Sequence, residues 1–307
     1  MLNDINLSRL TDVTMNGDSI AYVLFTSGST GTPKAAQLRH RNFIEAIRSI
    51  SEVGIFTEKD TVIQMARCSF DAHVEDIVGT LIVGGTLVML RPYGHMDFEY
   101  LSQVLVNHQI SYMQSVPSLL TAFLTHMKQN SSVDALKTLR SLCSGGETFS
   151  STLAVLAMSC MQETCQIWNL YGPVETAVMT TYLSVFRTMG TKTIPIGRLL
   201  PGYRCVILDD FSQPVFTGEE GELFVGGVGV FAGYLARNEL TKKALVDIDG
   251  EQFYRTGDLV RFDSDGLLYY VGRKDHQVKV HGQRIELGEI ERCLLQASSD
   301  VSHCVVV

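Results

Sequence analysis

The densest concentration of chemistry in the chain is the run TSGSTGTPK, residues 26–34, which directly follows the apolar segment IAYVLF. Its glycines let backbone amides turn toward an anion, the hydroxyls of Thr26, Ser27, Ser29, Thr30 and Thr32 donate further hydrogen bonds, and Lys34 supplies positive charge. Together these make phosphate-binding chemistry. The run is not a P-loop, because Pro33 and Lys34 stand where that motif requires Gly-Lys-Ser/Thr. The same composition also describes a flexible surface turn, and the position behind an expected buried strand is what favours phosphate. A second glycine pattern, Gly227-Val228-Gly229-Val230-Phe231-Ala232, formally fits the dinucleotide fingerprint. It sits among short β segments instead of opening a βαβ unit, so these glycines are expected to serve turns and close backbone packing.

A scaffold must hold that loop in place. Apolar, β-branched runs at residues 20–25, 86–90, 110–114 and 166–170 alternate with helical spacing at 42–53, 98–107, 117–127 and 150–158. Such alternation predicts an α/β fold on a mostly parallel sheet flanked by helices. From about Tyr203 the texture changes to short strands, YRCVILDD, GELFVGG, FYRTGDLVRF and GLLYYVG, with Asp265-Gly266 as a hairpin turn. The last stretch reads strand, helix, strand. The chain accordingly divides into a large α/β core, residues 1–202, a β-rich subdomain, 203–274, and the start of a small α+β domain, 275–307.

Composition narrows the function classes. With 45% hydrophobic and 19% charged residues among 307, the chain is expected to bury a core and not to be disordered. Lys+Arg 25 against Asp+Glu 33 leaves a net charge of −8, which disfavours nucleic acid as a partner, since that binding replaces condensed counterions with basic side chains. The longest apolar stretch, residues 77–90, is shorter than the roughly 20 residues of a membrane span and is broken by Gly79, Gly84 and Gly85. No membrane partner is expected. MLNDINLSRL lacks the basic and apolar regions of a secretory signal. Seven cysteines with no CxxC pair read as reduced thiols of a cytoplasmic protein.

The strings AYVLFTSGSTGTPK, FDAHVEDI, NLYGPVETA, GELFVGGVGVFAGYL, YRTGDLV and GRKDHQVKVHGQRIELGEIE, in this order, resemble the motifs of adenylate-forming enzymes. The resemblance is greatest to the adenylation domains of nonribosomal peptide synthetases and spans nearly the whole chain. It implies that an amino-acid carboxylate attacks the α-phosphorus of ATP, with Mg2+, giving an aminoacyl-adenylate and pyrophosphate. The acyl group then passes to the phosphopantetheine thiol of a peptidyl carrier domain. Both steps move negative charge that must be shielded.

Residue by residue, the resemblance implies that Thr26, Ser27, Gly28, Ser29, Thr30, Gly31 and Lys34 cover the β- and γ-phosphates. Tyr171, followed by Gly172, would stack on adenine, and Asn169 would bond its exocyclic amine. Glu175 would hold magnesium, Asp258 would accept from the ribose hydroxyls, and Arg273 would contact the nucleotide. Asp275 falls at the hinge of the small domain, and Lys279 resembles a lysine used in thiol transfer. Taken without the resemblance, Tyr171 is core packing, Asp258 a turn cap, Glu175 a solvated acid, Asp275 a polar linker and Lys279 an exposed strand charge.

Asp71 matches the carboxylate that pairs with a substrate α-ammonium group, which favours an amino acid over a fatty or aryl acid. The other implied pocket positions are Ala72, Glu75, Ser118, Cys143, Gly145, Leu170, Val178 and Met179. Glu75, a second carboxylate in a mainly apolar pocket, is expected to be protonated, turned to solvent, or paired with a cation. The last of these would mark a basic substrate of lysine or ornithine type.

Some positions depart from the pattern. Ala35 stands where a glycine is usual, Val174 where a threonine is, and His281 where an arginine is. Family domains begin before residue 1 and continue past residue 307, so missing strands, an exposed sheet edge, an absent catalytic lysine and aggregation of the isolated chain are expected. Two further readings stay open: an acyl- or aryl-CoA ligase, which Asp71 and RIELGEIE oppose, and a non-catalytic nucleotide-binding remnant, which Val174 favours.

Overall fold

The computed structural model describes residues 15–27, 33–188, 193–275, 277–280, 283–297, 304 and 306. A seven-stranded sheet has the spatial order Thr86–Val88, Thr61–Ile63, Tyr112–Ser115, Ser141–Gly145, Gln166–Tyr171, Thr181–Ser184 and Arg198–Leu199. The first five strands are parallel and the last two antiparallel. Parallel neighbours need crossovers, here the helices Phe98–Asn107, Pro117–Gln129 and Ser151–Cys160. Asp97 and Ser150 cap the first and third through bonds of 3.1 Å each, and Pro117 opens the second.

The two-residue period of a strand sorts the core. Ile63, Met113, Leu142 and Ile167 pack with Leu101, Leu105, Leu120, Phe123 and Leu153 of these helices. Val62, Tyr112, Cys143, Trp168 and Leu170 pack on the other face with Phe43, Ile47 and Ile50 of the helix His40–Glu52. Both faces are covered, which is why the strands read as apolar runs. The strand expected at 110–114 runs over Tyr112–Ser115, and Gln109, with a left-handed φ of 51°, lies between the preceding helix and this strand.

A three-stranded antiparallel sheet joins Ile20–Thr26, Lys34–Arg39 and Gly233–Tyr234. Thr26 and Lys34, the two ends of the hydroxyl-rich run, pair with each other in this sheet. Ala35 lies in the second strand opposite Phe25 and is not among the residues with positive φ, so no strain falls there. Five antiparallel strands, Tyr203–Leu208, Gly221–Gly227, Leu245–Ile248, Glu251–Phe262 and Leu268–Arg273, form the β-rich part. Its Asp265-Gly266 turn is present, with the Gly266 amide donating to Asp263 (3.0 Å) at a φ of 73°. A Cβ on Gly227 would lie 2.2 Å from the Gly202 carbonyl oxygen, and one on Gly229 would lie 2.3 Å from that of Thr176, so this glycine pattern serves close packing. The hairpin Gln277–Val280 with Gln283–Glu286 leads into the helix Leu287–Ala297. Among the described residues no helix is long and apolar enough to cross a membrane.

One ion pair between the buried Asp60 and the partly exposed Arg140 ties the layers together. Asp60 accepts from Arg140 Nε (3.0 Å) and Nη2 (2.6 Å), from the Ser111 hydroxyl (2.7 Å) and from the Thr57 amide (2.8 Å). Arg140 also donates to the carbonyls of Gly54 and Ile55, fastening the chain beyond the helix His40–Glu52 to the sheet. Burial alone would raise the Asp60 carboxyl, but Arg140 and Ser111 hold it below the ordinary aspartate value. A lowered folded value means that the stabilisation is present at neutral pH and is lost as pH falls through that value. Asp60→Ala should cost about 3 kcal/mol in urea unfolding at pH 7, because it strands a partly buried guanidinium. The gap between parent and variant should narrow below the ordinary aspartate pKa of about 3.9.

Candidate active site

Residues distant in sequence meet beside the paired Thr26 and Lys34. Pairing of Gly233–Tyr234 with Lys34–Arg39 sets the Tyr234 ring 5.1 Å from Lys34 Nζ. The Tyr234 hydroxyl donates to Glu175 Oε1 (2.7 Å), and Glu175 is fully buried, so it is not a solvated acid. Thr26 Oγ1 and Ser27 Oγ are buried with no hydrogen-bond partner among the described residues. Each such hydroxyl costs about 1–3 kcal/mol, a penalty that anionic oxygens would relieve. Gly28, Ser29, Thr30, Gly31 and His281 lie outside the described residues.

Tyr171 ends its strand with a buried ring, and its hydroxyl donates to Asp258 Oδ2. Strand register sets Asp258 opposite Arg273, whose Nη1 donates to Asp258 Oδ1 (2.8 Å). Asp258 is thus a strand residue, not a turn cap. Arg273 also grips Asp275 through Nε (2.6 Å) and Nη2 (2.7 Å). Burial would lower the guanidinium, but Asp275 and Asp258 hold it well above its ordinary value. Asn169, two residues before Tyr171, is buried and donates its side-chain amide to the Pro195 carbonyl (2.7 Å). Lys279 falls on the strand Gln277–Val280.

After Tyr171 the chain doubles back on itself. A Cβ on Gly172 would stand 2.5 Å from the Val178 carbonyl oxygen, 2.7 Å from Met179 Cα and 2.9 Å from the Thr180 amide nitrogen. Ala177 and Val178 adopt left-handed φ values of 57° and 70°, a strain of order 1–3 kcal/mol for a β-branched residue. The fold-back turns Glu175 inward and brings Val178 and Met179 to a cavity of about 490 Å³.

Asp71, Ala72, Ser118, Gly145, Gly172, Val178 and Met179 all line that cavity. Gln114 lines it too, a residue that the motifs did not mark; an amide inside the buried strand YMQS was the available signal. Glu75, Cys143 and Leu170 do not line it and are buried behind the wall. Gln114 Nε2 donates to Glu75 Oε2 (3.3 Å), and the Tyr112 hydroxyl donates to Gln114 Oε1 (2.7 Å). Burial, then the charges of Asp76 and Asp71, push the Glu75 carboxyl up to about 8, against hydrogen bonds from Gln114 and Tyr112. The rise favours the protonated acid at neutral pH, and the side chain is not turned to solvent. Burial pushes Asp71 up to about 6, against the backbone amides of Ala72, Asp71 and Val178, while the Glu175 charge adds to the rise. Asp71 Oδ1 accepts from the Ala72 amide (3.0 Å), and Oδ2 has no partner among the described residues. Arg67 and His95 also line the cavity.

Among the described residues no group of three or more His, Cys, Asp or Glu side chains could hold a metal by itself. One inward carboxylate, Glu175, completed by phosphate oxygens, is a donor set that suits magnesium.

A family model described as AMP-binding enzyme matches residues 4–235. Tyrocidine synthase 3 of Brevibacillus parabrevis is 39% identical over 282 residues, covering 91% of this chain and 4% of that protein. The solved Vibrio cholerae adenylation domain AlmE, in complex with glycyl-adenosine-5'-phosphate, matches with a TM-score of 0.85 and 28% identity over 100% of this chain and 57% of its own. NpsA-ThdA, an artificially fused adenylation-PCP di-domain NRPS from Klebsiella oxytoca, matches with a TM-score of 0.83 and 28% identity over 96% of this chain and 58% of its own. The chain spans less than two thirds of each of these proteins.

Because backbone atoms surround Gly172, Gly172→Ala should destabilise the protein by about 3 kcal/mol and weaken nucleotide binding with it. Thermal melting with and without ATP reads both effects.

Proposed function

Since the chain belongs to the AMP-binding enzyme family, we propose that it activates an α-amino acid with ATP as the aminoacyl-adenylate, releasing pyrophosphate, and delivers the acyl group to the phosphopantetheine thiol of a peptidyl carrier domain. The observation that carries this reading is convergence. Lys34, Tyr234 and Glu175 form one cluster, Tyr171, Asp258 and Arg273 a second, and Gly172 and the Glu175 loop join both to the cavity that holds Asp71. The glycyl-adenylate complex of AlmE and the adenylation-PCP fusion support the same assignment.

In this reading Asp71 receives the substrate ammonium group, the counter-charge that a desolvated cation requires. Thr26, Ser27 and Lys34 face the phosphates and shield the charge that builds on pyrophosphate as the carboxylate attacks. A magnesium ion held by Glu175 would neutralise phosphate oxygens. Tyr171 and Arg273 hold the Asp258 carboxylate in one orientation toward the ribose hydroxyls, and Tyr171 with Asn169 receives the base. Asp275 serves as the hinge, and Lys279 acts in thiol transfer. The seven free cysteines suit a cytoplasmic location.

The finer proposal is a basic side chain of lysine or ornithine type. Gln114 stands between the cavity and Glu75, so an ammonium group beside Gln114 favours release of the Glu75 proton to solvent and is balanced, across the Gln114 amide, by the carboxylate left behind.

Amino-acid-dependent exchange of pyrophosphate into ATP, measured on the full polypeptide that carries these residues, tests both levels. Lysine or ornithine should give the highest rate, and Asp71→Ala should cost at least about 100-fold. A preference for leucine or phenylalanine would remove the basic assignment, and activation of fatty or aryl acids alone would remove the amino-acid assignment. As pH falls below about 6, Asp71 takes up a proton and loses its hold on the ammonium group. KM for the amino acid should then climb about tenfold per pH unit while KM for ATP does not follow.

A further inference from the structure

The helical segment that carries Asp71 is not uniform. Asp71–Val74 is α-helical, Glu75–Gly79 is a π turn, and Thr80–Val83 returns to α. Such turns accommodate an extra residue and occur often at functional sites. Here the turn directs two consecutive carboxylates, Glu75 and Asp76, inward, each 1% exposed. Asp76 has no part in the chemistry described above. Its Oδ2 accepts from the backbone amides of Met65 and Ala66, both at 3.0 Å. Met65, Ala66 and Arg67 line the cavity. From the same helical segment, His73 Nδ1 lies 2.9 Å from the Ala66 carbonyl oxygen, which also accepts from the side-chain amide of Gln64.

One element therefore presents Asp71 to the cavity and grips a stretch of cavity wall through both its amides and its carbonyl. We propose that Asp76 is a positioning residue which, with His73, fixes the separation between the wall at residues 65–67 and Asp71, and so decides which amino-acid side chains fit. The proposal rests on the reading of this cavity as the amino-acid site. Burying a carboxylate without a cation is costly, and burial does push Asp76 up to about 7 against the two amides. A carboxylate kept at that cost for the cavity wall sets the shape of the wall. A neutral acceptor of the same shape can make the same two bonds, so geometry and not charge is the property in use.

Asp76→Ala, Asp76→Asn and His73→Ala, made in the full polypeptide, separate positioning from simple stabilisation. In Asp76→Ala, hydrogen–deuterium exchange at the Met65 and Ala66 amides should speed up about tenfold, a loss of local protection. KM for the preferred amino acid should rise about tenfold with KM for ATP within about twofold, and larger side chains should gain in relative kcat/KM. Asp76→Asn should stay within about threefold of the parent in every readout. His73→Ala should reproduce the selectivity change more weakly, and it carries the test if Asp76→Ala fails to fold. Unchanged amide exchange, parallel rises in both KM values, or unaltered selectivity would each overturn the proposal. A parent protein with no amino-acid-dependent exchange would overturn the functional reading, while amide exchange would still decide the wall contact.

Discussion

Much of this structure depends on keeping carboxylates out of water around one cavity. Asp71, Glu75 and Asp76 sit within six consecutive positions, and burial raises all three above their ordinary values. Their environments divide the work among them. Asp71 and Asp76 each have one oxygen without a partner among the described residues, the other Asp76 oxygen accepts from two backbone amides, and Glu75 is sealed behind Gln114 and Tyr112. On this side of the cavity the acids have no cationic partner, while Arg67 and His95 supply positive charge elsewhere on its lining, so an ammonium group fits beside Asp71 and an anionic group beside Arg67.

The nucleotide side follows the opposite logic. Asp258 is satisfied twice, by Tyr171 and by Arg273, and Arg273 is in turn satisfied by Asp275. Buried charges are tolerated when each is paired and hydrogen-bonded, and the result is a rigid carboxylate of fixed orientation. The same guanidinium holds Asp275 through a bidentate pair. In the proposed function, with Asp258 toward the ribose and Asp275 as the hinge, nucleotide contact and hinge geometry would be parts of one network.

Sheet layers and the order of the motifs were legible because both rest on local pattern. Alternating apolar residues mark strands with two covered faces, and glycine with hydroxyl spacing marks the loop. Three features were not legible, for identifiable reasons. The strand Lys34–Arg39, KAAQLR, has no β-branched residue and owes its conformation to pairing with Ile20–Thr26. Gln114 carries no motif and matters only because its neighbours in space are Glu75 and the cavity. Glu75 lies four residues from Asp71, a spacing that on a regular helix sets both on one face, and the turn that widens at Glu75 belongs to tertiary packing.

Magnitudes bound how selective a proton-bearing Glu75 can make this pocket. With its carboxyl pushed up to about 8, ionising it at pH 7 costs on the order of 1 kcal/mol. A cation on the far side of Gln114, roughly 7 Å away, gains about 2 kcal/mol at the effective dielectric of about 20 that suits protein sites. The surplus, on the order of 1 kcal/mol, must still offset desolvation of the incoming ammonium group. Discrimination of a basic from a neutral side chain by this pair alone therefore has a ceiling near tenfold. Any stricter selectivity must come from the shape of the wall, the quantity that the bonds from Asp76 and His73 control. Under the basic-substrate proposal, the acid behind Gln114 would act on the class of side chain, and the wall held by Asp76 and His73 on its size.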